Sequence, residues 1–108
     1  MAVDRNLVSG NMGMLILKLL SEKDMYGYEM IDTLKKRSQN VFELKAGTLY
    51  PLLHSLEADS YVTVYDQMIL GKNRRYYSIT NAGKKKLDEK INGWQEYKDA
   101  VSSVLSYE

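Results

Sequence analysis

The positively charged side chains are the most informative chemical groups of this sequence, because they are concentrated in two blocks. Between Asp66 and Asp88 the chain contains no acidic residue. The cations of that stretch are Lys72, Arg74, Arg75, Lys84, Lys85 and Lys86, and a second block consists of Lys35, Lys36, Arg37 and Lys45. Segregated charge can form a local positive face that attracts phosphates, although the formal net charge is only +1. The alternative is that each block is an ordinary solvated surface.

The residue types that most enzymes need are missing. Cysteine is absent, which excludes disulfides, thiol nucleophiles and thiolate metal sites. The single histidine, His54, cannot form a Cys/His zinc site within one subunit. The acids occur in contexts typical of solvated helix ends, as at Glu22, Asp24, Asp88 and Glu89. We therefore expect no enzymatic activity and no cofactor.

Hydropathy and length limit the kind of protein that this chain can form. It has neither a run of about 18 or more apolar residues nor the basic start, apolar middle and small-residue cleavage site of a signal peptide. We expect a cytoplasmic protein with no membrane partner. At 108 residues, of which 44% are hydrophobic, the chain is large enough for one modest core and an appendage.

Apolar periodicity predicts two helices before residue 40. The first ends near residues 21–24 and carries, at helical spacing, Leu7, Met14, Leu15, Leu17 and Leu20. The second runs from about residue 26 to residue 37, and its inward side is expected to carry Tyr28, Ile31 and Leu34. A break at residues 38–40 and a short extended piece at residues 41–44 follow.

A third helix is predicted from Gly47 or Thr48 to about Asp59. Its inward residues are Leu49, Leu52, Leu53 and Leu56. With Thr48 as the N-cap, Pro51 falls in the first turn, where its missing amide costs little. An earlier start would bend the helix at Pro51.

From Tyr61 the apolar period changes to two, which predicts a β-hairpin. Val62 and Val64 mark its first strand, residues 71–73 its turn and residues 75–80 its second strand. Thr80 can cap a last helix that extends to about Tyr107 and is about 40 Å long. Its heptad-like apolar stripe, which Lys98 interrupts, consists of Leu87, Ile91, Trp94, Val101 and Leu105.

This order of elements predicts a fold that is mainly α with a small β-hairpin. It corresponds to a winged helix-turn-helix over residues 1–80, followed by a C-terminal dimerisation helix over residues 81–108. In such a fold the third helix enters the major groove of DNA and the hairpin straddles the phosphate backbone. The stripe of the last helix would be an exposed patch on a monomer, so we expect a homodimer that associates through it.

Three segments resemble the signature of PadR-like transcriptional regulators. They are residues 25–29 (MYGYE), 46–57 (AGTLYPLLHSLE) and 75–83 (RYYSITNAG), and the resemblance spans about residues 12–85. It implies a homodimeric repressor of the short subgroup, which dimerises through one C-terminal helix. The sequence departs from the family pattern in the hairpin, where Met68, Ile69 and Leu70 precede a tight turn.

The predicted DNA contacts come from both parts of the winged helix-turn-helix. The base-side candidates are Thr48, Tyr50 and His54, the phosphate candidates beside them are Tyr26 and Lys45, and those of the hairpin are Lys72, Asn73, Arg74 and Arg75. Alternatives remain for several of them. Thr48 is equally well explained as a cap, Tyr50 and His54 as surface or half-packed residues, and one of the two arginines as the ion-pair partner of Asp66.

The resemblance also implies an effector site. In similar regulators the aromatic residue that matches Trp94 lines a cavity at the dimer interface, which receives flat, drug-like ligands. Tyr97 would extend this aromatic surface, and a planar apolar or cationic compound is the expected ligand; the alternative role of Trp94 is dimer core. The expected partners are thus double-stranded DNA with an inverted-repeat operator, a second copy of the chain and a planar aromatic ligand. The competing function is a protein-interaction module of the same fold without specific DNA binding.

Overall fold

A computed structural model describes the backbone of residues 5–107 and the side chains of residues 10–107. Its elements in chain order are α1 (Arg5–Glu22), β1 (Met25–Tyr26), α2 (Gly27–Arg37), α3 (Ala46–Ala58), β2 (Val62–Ile69), β3 (Lys72–Ile79) and α4 (Asn81–Leu105). The predicted fold class, mainly α with a small hairpin and a long last helix, is confirmed. The side chain of Leu7, residues 1–4 and Glu108 lie outside the described residues.

One hydrophobic core is shared by all the helices and the sheet. Its fully buried side chains are Ile16, Leu17, Leu20, Met25, Met30, Leu49, Leu53, Val62 and Tyr77. Helix α1 is buried over a wide arc and contacts α2, α4 and β3. The other elements therefore hold their positions by packing around α1. No helix among residues 5–107 is long and apolar enough to cross a membrane.

Helix α2 differs from its prediction in its start and its buried face. It begins at Gly27, with Tyr26 as N-cap, because Met25 and Tyr26 form a short third strand that pairs with β3. The buried face contains Met30 and Leu34, whereas Tyr28 is 70% exposed, contrary to the prediction. Met25 and Met30 bracket the N-cap and are both buried, the arrangement of a hydrophobic staple that fixes this orientation. Residues 41–44 form no strand.

The prediction that Thr48 caps α3 is wrong. The N-cap is Lys45, whose carbonyl accepts from the amides of Thr48 (3.0 Å) and Leu49 (2.9 Å). Leu44 and Leu49 flank this cap and are both buried, so their burial fixes the earlier start. Pro51 consequently lies inside the helix, where it offers no amide to the carbonyl four residues before it. The inward leucines agree with the prediction: Leu49, Leu53 and Leu56 are buried and Leu52 is partly buried.

The hairpin is longer and its turn tighter than predicted. Strands β2 and β3 pair in register from Val62–Ile79 to Ile69–Lys72. Only Leu70 and Gly71 connect them, with φ values of 50° and 79°. Two consecutive left-handed residues make a type I′ turn, whose twist matches that of the strands. Lys72 and Asn73, predicted as turn residues, are therefore the first residues of β3.

Thr80 joins the base of the hairpin to α4. Its amide donates to the carbonyl of Tyr61 (3.0 Å) and its hydroxyl to the carbonyl of Ser60 (2.7 Å). The same hydroxyl accepts from the amide of Gly83 (3.0 Å), which confirms the predicted N-cap. Gly83 is buried, and a Cβ at this position would overlap the carbonyl oxygen of Tyr61.

The first turns of α4 belong to the common core. Leu87, predicted at the dimer interface, is only 5% exposed because it packs inside its own subunit. Ile91 is partly buried against the same core. The predicted boundary after residue 80 thus separates elements that pack together. From Trp94 onward the helix extends away from the core and its side chains are exposed.

We predict that Gly83→Ala lowers the free energy of unfolding by about 2 kcal/mol or more, because the new methyl group forces the hairpin base away from α4. Gly47→Ala is the matched control, since a Cβ at Gly47 has no neighbour within 4 Å. It should raise stability by up to about 1 kcal/mol through helix propensity. Urea denaturation followed by circular dichroism measures both, and equal stability of the two variants would contradict the proposed strain.

Candidate nucleic-acid interface

The outward face of α3 carries the three predicted base-side residues. Thr48, Tyr50 and His54 are all exposed, whereas the leucines of the opposite face are buried. Tyr50 is 40% exposed, because its ring packs over Gly27 at the start of α2. A Cβ at Gly27 would overlap the Tyr50 hydroxyl, so this close packing requires glycine. Tyr50 is therefore half packed, as the alternative interpretation held, and half available to a ligand.

The N-terminus of α3 is chemically suited to an anion. Within the described chain it has no side-chain cap and no acidic residue in its first turn, and Lys45 is its N-cap residue. Unpaired backbone amides and the helix dipole favour a negative group at such a position. Lys45 is exposed and adds a full positive charge.

The two arginines of the hairpin point to opposite faces of the sheet, because successive residues of a strand alternate. Arg75 is on the same face as the buried Tyr77, and Arg74 is on the outer face with Tyr76. The Nε of Arg75 lies 3.5 Å from Oδ1 of Asp66, which confirms the predicted cross-strand ion pair. Both side chains of this pair are more than half exposed, so the pair adds little stability.

A cluster of three tyrosines, Tyr26, Tyr65 and Tyr76, supports Arg74 on the outer face. The rings of Tyr65 and Tyr76 stack with centroids 5.6 Å apart, and Tyr26 meets Tyr76 edge-on at 5.6 Å. The guanidinium carbon of Arg74 lies 4.3 Å from the ring centroid of Tyr26, a cation–π contact. Tyr26, predicted as a phosphate contact, thus also positions Arg74.

Sequence reasoning missed the tyrosine cluster as a unit, since only the β1–β3 pairing brings Tyr26 beside the hairpin. Its other anchor is a hydrogen bond of 2.7 Å from the Tyr65 hydroxyl to Oδ2 of Asp24. This bond to a carboxylate raises the pKa of Tyr65 to about 12. It ties the middle of the hairpin to the segment between α1 and β1.

Most of the basic block at residues 35–37 is neutralised within the subunit. Arg37 donates to both carboxylate oxygens of Glu22, at 2.8 and 2.5 Å, and this lowers the pKa of Glu22 to about 2. Lys36 lies 2.9 Å from Asp32, and Lys35 lies 3.8 Å from a carboxylate oxygen of Glu43. The Arg37–Glu22 pair joins the last turns of α1 and α2. This block is therefore a structural and solvated surface, which was the alternative interpretation.

Three of the predicted DNA-contacting cations lack such a partner. Among the described residues, no carboxylate oxygen lies within 4.0 Å of Lys45, Lys72 or Arg74. Lys45 is the N-cap residue of α3, and Lys72 and Arg74 belong to β3, which pairs with β2, the strand that follows and contacts α3. Lys84 and Lys85, near the start of α4, are likewise exposed and unpaired among the described residues, so the unpaired positive charge of the two blocks lies at the start of α3, on β3 and at the start of α4.

A cavity of about 330 Å³ lies between α1 and α4. Its lining residues are Gly10, Asn11, Met14, Lys90, Gly93, Trp94 and Tyr97. The rings of Trp94 and Tyr97, both predicted at an effector site, form one wall with centroids 6.5 Å apart. A Cβ at Gly10 or Gly93 would meet no atom within 4 Å. Sequence reasoning missed Lys90 and Met14, because only the packing of α1 against α4 brings them to the cavity.

The C-terminal half of α4 presents an apolar strip to solvent. It contains the predicted interface residues Trp94, Val101 and Leu105, together with Tyr97 and Val104. Tyr97, Val101, Val104 and Leu105 also line a shallow depression, with Ala100. An isolated subunit thus exposes a continuous apolar surface on one side of a helix that has left the core.

A three-helix unit with an exposed third helix, a basic hairpin directly after it and a long last helix defines a winged helix-turn-helix regulator. Within that class the chain belongs to the Transcriptional regulator PadR-like family, whose family model matches residues 16–89. The match covers all three signature segments and the whole hairpin, so the resemblance seen in the sequence is confirmed.

Individual relatives agree with this assignment. The chain is 32% identical to a transcriptional regulator of Mycobacterium tuberculosis over 81 residues, which are 75% of this chain and 73% of the relative. A transcriptional regulator structure from Clostridium thermocellum superposes with a TM-score of 0.85 at 31% identity, covering 91% of this chain and 96% of the other. The structure of a PadR family transcriptional regulator from Eggerthella lenta superposes with a TM-score of 0.85 at 30% identity, covering 95% of this chain and 88% of the other. The protein is a winged-helix transcription regulator.

Proposed function

We propose that this regulator is a homodimeric repressor that binds an inverted-repeat operator. The observation that carries the proposal is that Lys45, at the N-cap of α3, and Lys72 and Arg74, on β3, have no carboxylate partner among the described residues, while the outer face of α3 is exposed. Phosphate contacts supply most of the affinity of such proteins, and cations already paired within a subunit contribute little to it. Transcription is repressed when the bound dimer blocks access to the promoter.

The described side chains fit distinct roles at the DNA. Thr48, Tyr50 and His54 reach base edges in the major groove, with Tyr50 held in place by its packing over Gly27. Lys45 and the amides at the start of α3 bind phosphate. The hairpin binds the backbone of the next groove through Lys72, Asn73, Arg74 and Arg75. Arg74 contributes more to phosphate binding than Arg75, because Arg75 already forms an ion pair with Asp66, whereas Arg74 is held over the ring of Tyr26.

The apolar strip of α4 supports dimerisation through this helix. Val101 and Leu105 occupy one side of it, together with Trp94, and within the described subunit they remain 37%, 80% and 37% exposed, respectively. Pairing of two such helices around a two-fold axis buries both strips. A dimer of this kind reads an inverted repeat when its two α3 helices are about 34 Å apart, one turn of DNA.

The cavity between α1 and α4 supports binding of a planar aromatic effector. Its volume of about 330 Å³ is in the range of small-molecule sites, and Trp94 and Tyr97 offer a surface for stacking. Among the described lining residues, Lys90 is the one that carries a charge. Of the two ligand types expected from the sequence, a planar apolar compound therefore fits better than a cationic one, and an aromatic anion fits as well. Helix α1 packs in the core, and α4 is the proposed dimer helix. An occupant between them can therefore alter the spacing of the two α3 helices.

One observation favours a second function, a protein-interaction module. Met68 and Leu70 expose apolar side chains on the hairpin, at 66% and 98%. A docking surface for another protein would have this character. The DNA titration below separates the two functions, because a repressor shows strong, salt-dependent binding to DNA and an interaction module shows none.

We predict that Lys45→Ala and Arg74→Ala each weaken binding to duplexes from the region upstream of the protein's own gene. Each should also reduce the slope of log affinity against log salt by about two, one phosphate contact for each subunit. Lys36→Ala is the matched control, since Lys36 is paired with Asp32, and should leave the slope unchanged. Fluorescence anisotropy at several salt concentrations measures the effect. Identical slopes for all the variants would rule out this interface.

We predict that the double variant Val101→Glu and Leu105→Glu is monomeric, because four acidic side chains would meet in the paired strips. Ser103→Glu, the control, adds one glutamate to the opposite side of α4 and should remain dimeric. Sedimentation equilibrium gives the association state, and circular dichroism checks that the core is folded. A double variant that still dimerises would place the interface on another surface.

We predict that naphthoate, a planar aromatic anion, quenches Trp94 emission saturably. The affinity obtained from this quenching should be higher than that of the planar cation ethidium. Lys90→Glu should reverse this preference by about tenfold, because it inverts the one charge found among the described lining residues. Lys85→Glu, exposed elsewhere on α4, is the matched control and should not alter it. Equal quenching of wild type and Lys90→Glu by both compounds would show that the cavity does not select ligands by charge.

A further inference from the structure

The tip of the hairpin holds an apolar side chain in a backbone conformation that disfavours it. Leu70 has a φ of 50° and is 98% exposed. It occupies the first position of the type I′ turn, where asparagine, aspartate and glycine are preferred because they tolerate the left-handed region. Neither burial nor turn geometry accounts for leucine at this position. A function at the tip would account for both the strain and the exposure.

The surroundings of Leu70 are apolar at the tip and cationic behind it. Met68 is 66% exposed and directly precedes the last residue of β2. Lys72 follows the turn, and Arg74 lies two residues further along β3, held over Tyr26. An apolar tip with unpaired cations at its base matches a negatively charged partner that has an apolar interior. Duplex DNA is such a partner, with phosphates outside and stacked bases inside.

The reach of the hairpin agrees with a position in the minor groove. Tyr76 pairs with Tyr26, next to Gly27, where the Tyr50 hydroxyl of α3 packs. From Tyr76 to Lys72 the strand continues for four residues, about 13 Å at ~3.3 Å per residue, and the turn lies beyond. Adjacent major and minor grooves are separated by about half of a ~34 Å turn, or roughly 17 Å. With α3 in the major groove, the tip therefore reaches the neighbouring minor groove.

We propose that Leu70 is a minor-groove wedge, which inserts at a base step beside each half-site, with Met68 packing against the sugars. The inference rests on the proposed operator binding and adds a mode of sequence selection to it. Apolar side chains inserted at a step partly unstack it and bend the duplex toward the major groove. Flexible pyrimidine–purine steps unstack most readily, so the operator contains such a step at this distance from the bases read by α3.

The test uses Leu70→Asn in the full-length protein, because this change should move stability and DNA affinity in opposite directions. Asparagine suits the type I′ turn, so the melting temperature is expected to stay the same or rise. Affinity for the wild-type operator fragment, taken from the region upstream of its own gene, should fall about tenfold. Leu70→Met retains an apolar side chain and should retain most of the affinity.

A second readout separates insertion from simple contact. The fluorescent base 2-aminopurine, placed at the pyrimidine–purine step, brightens when it is unstacked, and energy transfer between labelled duplex ends reports bending. Both signals should appear with wild type and with Leu70→Met and be absent with Leu70→Asn. Unchanged affinity of Leu70→Asn, or a wild-type complex that gives neither signal, would overturn the wedge while leaving operator binding intact. A wild-type protein without salt-dependent DNA binding would overturn the proposed function and the wedge with it.

Discussion

The joint between the hairpin base and α4 is the constraint on which the rest of the molecule depends. Gly83 packs against the carbonyl of Tyr61, while Thr80 bonds to Ser60, Tyr61 and Gly83. No larger residue fits at Gly83, so the direction in which α4 leaves the core is determined by contacts at the root of the hairpin. The positions of α3 and the hairpin and the direction of the apolar strip are therefore set at one place. Two subunits paired by α4 would inherit a fixed relation between their α3 helices.

Charge pairing within the subunit matters more for recognition than total charge. The formal net charge is +1, and the Lys35–Arg37 block is held by Glu22, Asp32 and Glu43. Among the described residues of the two cationic blocks, those without a carboxylate partner lie instead at the start of α3, on β3 and near the start of α4. The ring of Tyr26 positions Arg74 through a cation–π contact, which leaves the positive charge of the arginine unneutralised. A nearly neutral protein can in this way present a localised phosphate-binding surface.

The order and type of the main elements could be predicted because they depend on local periodicity and caps, as at Thr80. Features that depend on contacts between distant segments could not. Strand β1 exists only through its pairing with β3, and it displaces the start of α2 and turns Tyr28 outward. The start of α3 follows burial of Leu44 and Leu49 and not the capping preference of Thr48. Leu87 fits the stripe of α4, but the nearby core covers it. Of the site, the residue types were predictable from sequence, whereas the partners that neutralise or orient them were not.

Helix α1 contacts α2, α4 and β3 and also supplies one wall of the cavity beside Trp94. An occupant of this cavity would contact α1 directly, and a DNA duplex bound to the hairpin would act on α1 through β3. Thermodynamic linkage then makes their effects reciprocal: a compound that lowers operator affinity by some factor is itself bound more weakly, by the same factor, when the operator is present. The cellular response would then depend on the number of operator copies as well as on the concentration of the compound. Each operator that holds a dimer favours an arrangement of α1 that binds the compound more weakly.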